Sequence, residues 1–181
     1  MLIKQGFVNP DLKDYLQKLI LDNVNFPWYY NNNQVDEDNS KSYPGLTHVF
    51  VEEKPNSVYA QDLINASVEI LKQENIDSNK LEGFWVIRAN LLLPLNEQFQ
   101  EQDQIHTDQD DDSYLTILYY VDDSDGPTKF YDDNKSLVAS VKPQAGKYIM
   151  FKSNTFHSGT LPKLNKKRCT LSIVIKFKEP L

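Results

Sequence analysis

Two histidines and one aspartate stand at spacings that could bind a metal ion. His106 and Asp108 are separated by one residue, and His157 follows farther along the chain. In an extended segment, residues i and i+2 point to the same side, so His106 and Asp108 can face one ion while Thr107 faces away. Two imidazoles and one carboxylate form the facial ligand set of non-haem Fe(II), and they also suit Zn or Mn. Three protein ligands leave positions open for catalysis.

An arginine follows the second histidine by eleven residues, at position 168. A guanidinium is always charged, and its planar fork binds a carboxylate through two parallel hydrogen bonds. Thr170 and Ser172 share the face of Arg168 in the strand expected there, so their hydroxyls could contact the same anion. The alternative is that Arg168 belongs to a solvated basic turn with Lys166 and Lys167.

Composition limits the classes of protein to which the chain can belong. Its 181 residues predict one domain, and a net charge of −7 argues against nucleic acid as a bulk electrostatic partner. A single cysteine excludes an internal disulfide and fits a reducing compartment. Neither an apolar leader nor a run long enough to cross a membrane is found in the sequence. We therefore expect a soluble, cytoplasmic protein without a membrane partner.

Two regions of different character follow one another along the chain. Residues 1–80 are predicted to be a support region of helices and loops. One helix begins at Asn9-Pro10, which combines a cap residue with a proline at the first helical position, and a second begins after position 57. The polar, acidic segment 31–43 cannot bury enough apolar surface to order itself, so it is predicted to be a mobile loop that borders the entrance to the site.

Short strands dominate from residue 82 onward. They are rich in β-branched and aromatic residues and are separated by turn signals, which is typical of an antiparallel sandwich or barrel. The predicted strands are 84–93, 114–121, 129–131, 137–141, 147–151 and 169–177.

The order of these motifs resembles the 2-oxoglutarate- and Fe(II)-dependent dioxygenases, whose signature is H-x-D, a second histidine, and a basic residue about ten positions later. More narrowly, the chain resembles the prolyl-hydroxylase-like branch over about residues 83–177. The features that carry this likeness are the strand 116–121, Gly126, Phe130, the Pro-x-x-Gly turn 143–146 and the strand 148–151. With Phe26-Pro27-Trp28-Tyr29 near its start, the chain is also similar to small phage and marine-bacterial oxygenases, and a phage origin would place it in the host cytoplasm.

The resemblance implies a fold that is mainly β with N-terminal helices, built on a double-stranded β-helix (jelly-roll, cupin-like) core at 82–178. It implies that His106, Asp108 and His157 bind Fe(II), and that Arg168 holds the C5 carboxylate of 2-oxoglutarate (2OG). O2 is the second cosubstrate, and ascorbate is a candidate reductant. Further candidates for the cosubstrate pocket are Tyr120, Thr116, Thr170, Ser172 and Asn90. Core packing is the alternative role for Tyr120 and Thr116.

The implied reaction is hydroxylation of a C–H bond with release of succinate and CO2. The family likeness favours a peptidyl, prolyl-like substrate, followed by a free amino acid or a nucleobase. Two alternatives stay open at this point. One is a cupin-like metalloenzyme that uses no 2OG, and the other is a non-catalytic jelly-roll binding module.

Overall fold

The computed structural model describes residues 4–32, 43–96 and 103–181. Most of the predicted mobile loop at 31–43 lies outside the described residues, at positions 33–42. None of the helices in the described part of the chain is long and apolar enough to cross a membrane.

Two α-helices lie where the sequence predicts them. Helix α1, Pro10–Gln17, begins after Asn9, whose side chain accepts a hydrogen bond of 2.8 Å from the backbone N–H of Leu12. This is the capping arrangement expected for asparagine before a proline. A π-helical turn, Lys18–Asp22, continues α1. Helix α2, Ala60–Gln73, buries a stripe of apolar side chains at helical spacing, and both helices therefore pack through one face.

Apart from a 3₁₀ turn at Ser78–Lys80, eleven strands form the rest of the regular secondary structure in the described residues. They are β1 Lys4–Phe7, β2 Tyr29–Asn31, β3 Gly45–Glu52, β4 Lys54–Pro55, β5 Leu81–Leu92, β6 Tyr114–Tyr120, β7 Thr128–Tyr131, β8 Leu137–Val141, β9 Lys147–Lys152, β10 His157–Gly159 and β11 Arg168–Phe177. The large sheet has the order β1-β9-β6-β11-β5-β3-β2, with β4 paired to β3, and the small sheet has the order β10-β7-β8. All of these pairings are antiparallel.

The large sheet packs against the helices on one face and against the small sheet on the other. The helical face joins Ile87 of β5 and Ile173 of β11 to Leu63 of α2 in one apolar cluster. On the opposite face, Leu118 of β6 packs with Phe130 of β7 in a second cluster. The two-residue period of a strand makes this possible, because neighbouring side chains point to opposite faces.

Four strands, β1 to β4, lie in the region that was predicted to contain only helices and loops. Strand β3 is long and pairs with β5, between β5 and the edge strand β2 of the large sheet. Its sequence, GLTHVFVE, is rich in β-branched and aromatic residues but stands apart from the other strand signals. Its pairing partner lies far away in sequence, and local pattern does not show such pairings. The fold class, mainly β with N-terminal helices, is confirmed.

Candidate active site

Backbone pairing brings the two histidines and the aspartate together. His106 and His157 form an isolated antiparallel bridge, in which the N–H of each donates to the carbonyl of the other at 3.0 and 2.9 Å. The Asp108 N–H donates to the Ser153 carbonyl at 2.9 Å. One ligand atom from each of the three side chains then lies within 4.8 Å of the other two.

Hydrogen bonds fix the orientation of each potential ligand. Nδ1 of His106 lies 2.9 Å from the Gln104 carbonyl, and Nδ1 of His157 lies 2.9 Å from the Thr155 carbonyl. Since a carbonyl can only accept, each Nδ1 carries the proton and each Nε2 presents a lone pair to the site. The Thr116 hydroxyl donates to Oδ2 of Asp108 at 2.6 Å. Such outer contacts orient metal ligands and tune their basicity.

The protonation states match what a divalent metal ion requires. Burial and the neighbouring His157 lower the pKa of His106 to about 4. Burial raises the pKa of Asp108, but the two imidazoles, the Thr116 hydroxyl and the charge of Arg88 together lower it more, so that the net shift is downward. Near neutral pH the site therefore offers a neutral imidazole and a carboxylate, which are the forms that coordinate metals.

The spacing of the three side chains also suits a metal ion. Donor atoms at right angles around an ion, each about 2.1 Å from it, lie about 3 Å apart. Nε2 of His157 and Oδ2 of Asp108 are 3.7 Å apart. A small side-chain rotation brings them to coordination distance, so the residues present fit an Fe(II) centre.

Arg168 lies buried at the start of β11, where its hydrogen-bond partners are neutral. Its Nε donates to the Gly126 carbonyl at 2.9 Å, and its Nη2 donates to the Thr128 hydroxyl at 2.8 Å. Tyr120 donates to the same hydroxyl at 2.8 Å. Within the described ranges, no carboxylate lies at ion-pair distance from Arg168. A buried guanidinium without a counter-charge fits a carboxylate-bearing cosubstrate.

An open cleft of about 540 Å³ connects the three potential metal ligands with Arg168. Three of the further predicted residues line this cleft, namely Asn90, Thr170 and Ser172. They lie there because β5 and β11 pair with Thr170 opposite Asn90 and with Arg168 opposite Leu92, so that their side chains share the face toward the small sheet. Their roles as cosubstrate contacts stay predictions.

Thr116 and Tyr120, the other two candidates, lie behind the cleft and do not line it. Thr116 contacts Asp108, and Ser153 lies 2.8 Å from its hydroxyl. Tyr120 is fully buried in the cluster between the sheets, where it shares the Thr128 hydroxyl with Arg168 and has the guanidinium 6.0 Å from its ring centroid. Both side chains pack in the core, which is the alternative role given for them, and each also contacts a site residue or its partner, while a direct contact with the cosubstrate stays a prediction.

Sequence reasoning missed three residues that line the cleft. Thr128 follows the Gly126-Pro127 turn, and only the pairing of the small sheet brings it to Arg168. Arg88 precedes Asn90 by two positions and therefore shares its face, a signal that the sequence contained. Tyr43 comes from the N-terminal region, and its hydroxyl donates to the Gly159 carbonyl. Burial raises the pKa of Tyr43 to about 12, so it stays a neutral donor.

His48, the third histidine, has no part in this site. Its Nδ1 lies 2.7 Å from the Pro27 carbonyl and its Nε2 lies 2.8 Å from the Ser57 hydroxyl, within a group of aromatic rings. His48 therefore has a packing and hydrogen-bonding role.

Comparison with known proteins gives a consistent family. Residues 93–176 match the model of the 2OG-Fe(II) oxygenase superfamily. No curated protein sequence matches the chain. A prolyl-4-hydroxylase of Pseudomonas putida superposes with a TM-score of 0.62 at 14% identity, covering 98% of this chain and 93% of that one. The viral collagen prolyl hydroxylase of Paramecium bursaria Chlorella virus-1, in complex with 2OG, gives a TM-score of 0.57 at 16% identity, covering 97% and 96%.

A relative with different chemistry shares the fold as well. The epimerase SnoN of nogalamycin biosynthesis superposes with a TM-score of 0.63 at 12% identity, covering 97% of this chain and 78% of that one. SnoN has also been solved with Fe³⁺ and α-ketoglutarate, which is 2OG. At these identities the likeness shows the fold, and the predicted double-stranded β-helix is confirmed.

The predicted class of enzyme and its cofactors are confirmed too. The family uses Fe(II), 2OG and O2, and the chain has both the clustered His-Asp-His side chains and the jelly-roll fold of its relatives. A 2OG-independent metalloenzyme and a non-catalytic binding module are therefore set aside. The chain is therefore a 2OG- and Fe(II)-dependent dioxygenase, and its residues 93–176 are similar to the 2OG-Fe(II) oxygenase superfamily.

Proposed function

We propose that this enzyme hydroxylates a C–H bond of a prolyl-like residue in a peptide and converts 2OG to succinate and CO2. In this reaction one atom of O2 enters the substrate as a hydroxyl oxygen, and the other enters the new carboxylate of succinate. The oxidation of 2OG supplies the electrons, so no further reductant is needed in the balance. The observation that carries the proposal is the single cleft that joins the His-Asp-His cluster to a buried arginine without a counter-charge.

Each side chain has a defined part in this proposal. His106, Asp108 and His157 would hold Fe(II), which supplies the activation of O2 when bound. Arg168 would receive the C5 carboxylate of 2OG, with the Thr128 hydroxyl beside it. When Arg168 holds the C5 carboxylate, the other end of 2OG would be directed to the metal site, so that 2OG would bind in one orientation.

Thr116 would act through Asp108. Its hydrogen bond to Oδ2 fixes the orientation of the Asp108 carboxylate beside Nε2 of His157. Ser153 supports this arrangement twice, through its carbonyl to the Asp108 N–H and through its hydroxyl to Thr116. These groups keep the ligand cluster in place before the metal arrives, which lowers the cost of binding.

The choice of substrate rests on the relatives. Two of the structures that share the fold are prolyl hydroxylases, from a bacterium and from a virus. Peptide, protein or small-molecule substrates fit the acidic chain better than nucleic acid does, since its net charge is −7. A cytoplasmic location fits the single cysteine and is part of this proposal.

Anaerobic titration tests the metal and cosubstrate roles. Fe(II) followed by 2OG should produce the visible absorption band of a metal–keto-acid chelate in the wild-type protein, and His106→Ala should abolish it. If the wild-type protein gives no band, or if His106→Ala still gives it, the assignment of the site is wrong.

Product analysis tests the reaction itself. In air, proline-containing peptides should gain the mass of one oxygen atom, with succinate formed in equal amount. Succinate formation coupled to a different class of substrate would retain the hydroxylase chemistry and exclude the prolyl substrate.

A further inference from the structure

A second arginine, Arg88, lines the same cleft but lies away from Arg168, the residue proposed to bind 2OG. It is on β5, directly opposite Ser172 of β11, and faces the small sheet as Asn90 does. After burial and His157, its charge is one of the causes that lower the pKa of His106, so the guanidinium lies close to the metal ligands.

The Arg88 side chain is half-buried, and part of its hydrogen-bonding capacity is unused among the described residues. Its Nε is buried and makes no hydrogen bond, and no carboxylate in the described parts of the chain lies at ion-pair distance. Other basic side chains of this protein are paired, such as Lys129 with Asp103 at 2.8 Å and Lys176 with Glu82 at 3.0 Å. A buried donor without a partner is costly, and such groups in native proteins commonly have a functional role.

The two arginines stand at different ends of the row of cleft-facing residues. Arg168 is paired with Leu92 and Arg88 with Ser172, four residues farther along each strand. Four strand residues separate their Cα atoms by about 13 Å. Arg168 lies at the end beside Thr128. Arg88 also lines a second opening, together with Thr107 and Gln109. The opening past Arg88 is therefore a route by which a substrate can approach the metal.

The charges of the loaded site indicate what kind of group fits beside Arg88. Among the described residues that line the cleft, the charged side chains are Arg88, Arg168 and Asp108. Together the two arginines and Fe(II) contribute four positive charges, whereas Asp108 and 2OG contribute three negative ones. One positive charge remains, and it lies in a partly dehydrated cleft where an anion is attracted strongly.

We infer that Arg88 binds a carboxylate of the substrate, so that the enzyme prefers molecules with a free carboxylate near the reacting carbon. Free amino or imino acids and the C-terminal residue of a peptide belong to this class, whereas an internal residue of a long chain does not. This inference rests on the proposed function, because it places the substrate beside the Fe(II)–2OG complex.

Matched ligand pairs test the inference without turnover. The anaerobic Fe(II)–2OG complex is titrated with N-acetyl-L-proline and N-acetyl-L-prolinamide, and separately with N-acetylglycine and N-acetylglycinamide, and the change in the chelate band gives each dissociation constant. In the wild-type protein the carboxylate of a pair should bind about 10-fold more tightly than the amide. In Arg88→Gln this ratio should fall to about 1, with Arg88→Lys between them.

Three results would overturn the inference. They are no carboxylate preference in the wild-type protein, a preference that survives Arg88→Gln, and a weaker affinity of Arg88→Gln for 2OG itself, which would make Arg88 a cosubstrate residue. Lys176→Gln, which removes an equal charge outside the cleft, is the matched control and should retain the preference. Failure of the proposed function is distinguishable, because the wild-type protein would then form no chelate band at all.

Discussion

The two faces of the large sheet differ in chemistry although the same strands build both. On β11, Leu171 and Ile173 enter the apolar cluster under the helices, whereas Thr170 and Ser172 line the cleft. Alternate side chains of one strand therefore serve two purposes. The helical face removes apolar area from water and stabilises the fold. The cleft face keeps buried polar groups and charges that the fold does not neutralise, which costs stability and prepares the site for ligands.

This difference predicts that substitutions on the two faces have opposite effects. A change on the cleft face should alter ligand affinity and leave unfolding nearly unchanged. A change on the helical face, even at the next residue of the same strand, should lower the stability of the protein. The molecules that remain folded should keep their affinity for ligands.

The largest effect on the cleft face is expected from Arg168→Gln. Loss of one partner from a buried charge pair costs roughly 3 kcal/mol, so affinity for 2OG should fall by about 100-fold or more. The melting temperature without 2OG should not fall, because the substitution removes a buried charge that has no carboxylate partner. Titration of the chelate band and thermal unfolding measure the two quantities. Unchanged 2OG affinity would contradict the proposed role of Arg168.

Ile173→Ala tests the helical face of the large sheet, at the residue of β11 that follows Ser172. Ile173 is 2% exposed in the apolar cluster, and its truncation should lower the free energy of unfolding by about 2–4 kcal/mol. Denaturant unfolding gives this value. At a temperature where the variant remains folded, its chelate titration should match the wild-type curve, and a large loss of 2OG affinity there would show that the two faces are coupled.

A smaller effect is expected from Thr116→Val, which keeps the shape of the side chain and removes its hydroxyl. Asp108 then loses the hydrogen bond that orients it, so metal affinity should fall by about 10- to 100-fold. Competition with a metal chelator measures this change. Thr116→Ser, which retains the hydroxyl at the same position, serves as control and should bind metal normally. Equal metal affinity in Thr116→Val would mean that packing alone positions Asp108.

The smallest effect concerns the rim of the helical face, where Glu74 contacts Lys4 and Tyr148. Burial raises the pKa of Glu74, but these two partners lower it more, so its folded-state pKa lies below the usual 4.5. The contribution to stability is therefore present above about pH 4.5 and is lost as the pH falls through the lowered value. Glu74→Gln should cost ~1 kcal/mol or less at neutral pH. The variant should also lose less stability than the wild-type protein when the pH is lowered. Unfolding measured between about pH 3 and 6, the range around the pKa of a carboxyl group, gives this difference. An unchanged acid profile would exclude this ion pair as a source of stability.

The class of enzyme could be predicted from the sequence because short stretches of sequence identify the residues that carry its chemistry. The spacing of His106 and Asp108 follows from the period of an extended chain, and the later strands carry clear β-branched and aromatic runs. Both helices have local signals as well, such as the Asn9 cap. Nothing beyond neighbouring residues is needed for these predictions.

The other cleft residues could not be predicted, because pairing between strands that are distant in sequence brings them to the site. Tyr43 reaches the cleft because β3 pairs with β5, and Thr128 reaches Arg168 because β7 pairs with β10. The position of Arg88 at the cleft was not predicted for another reason. An arginine in a strand is usually solvent-exposed, and only the complete cleft shows that this one is half-buried near the metal ligands, with a buried Nε that makes no hydrogen bond to the described residues.

The bridge between His106 and His157 has a consequence for how this family can diverge. Two main-chain hydrogen bonds set the backbone distance between these histidines, whose rings also pack with 4.4 Å between their centroids. Peptide geometry is the same for every amino acid, so mutation can replace the surroundings while this spacing persists. That independence agrees with relatives that keep the fold at 12% to 16% identity. It also makes the cleft a favourable scaffold for engineering, because the walls can be redesigned for new substrates around a reaction centre whose geometry the backbone supplies.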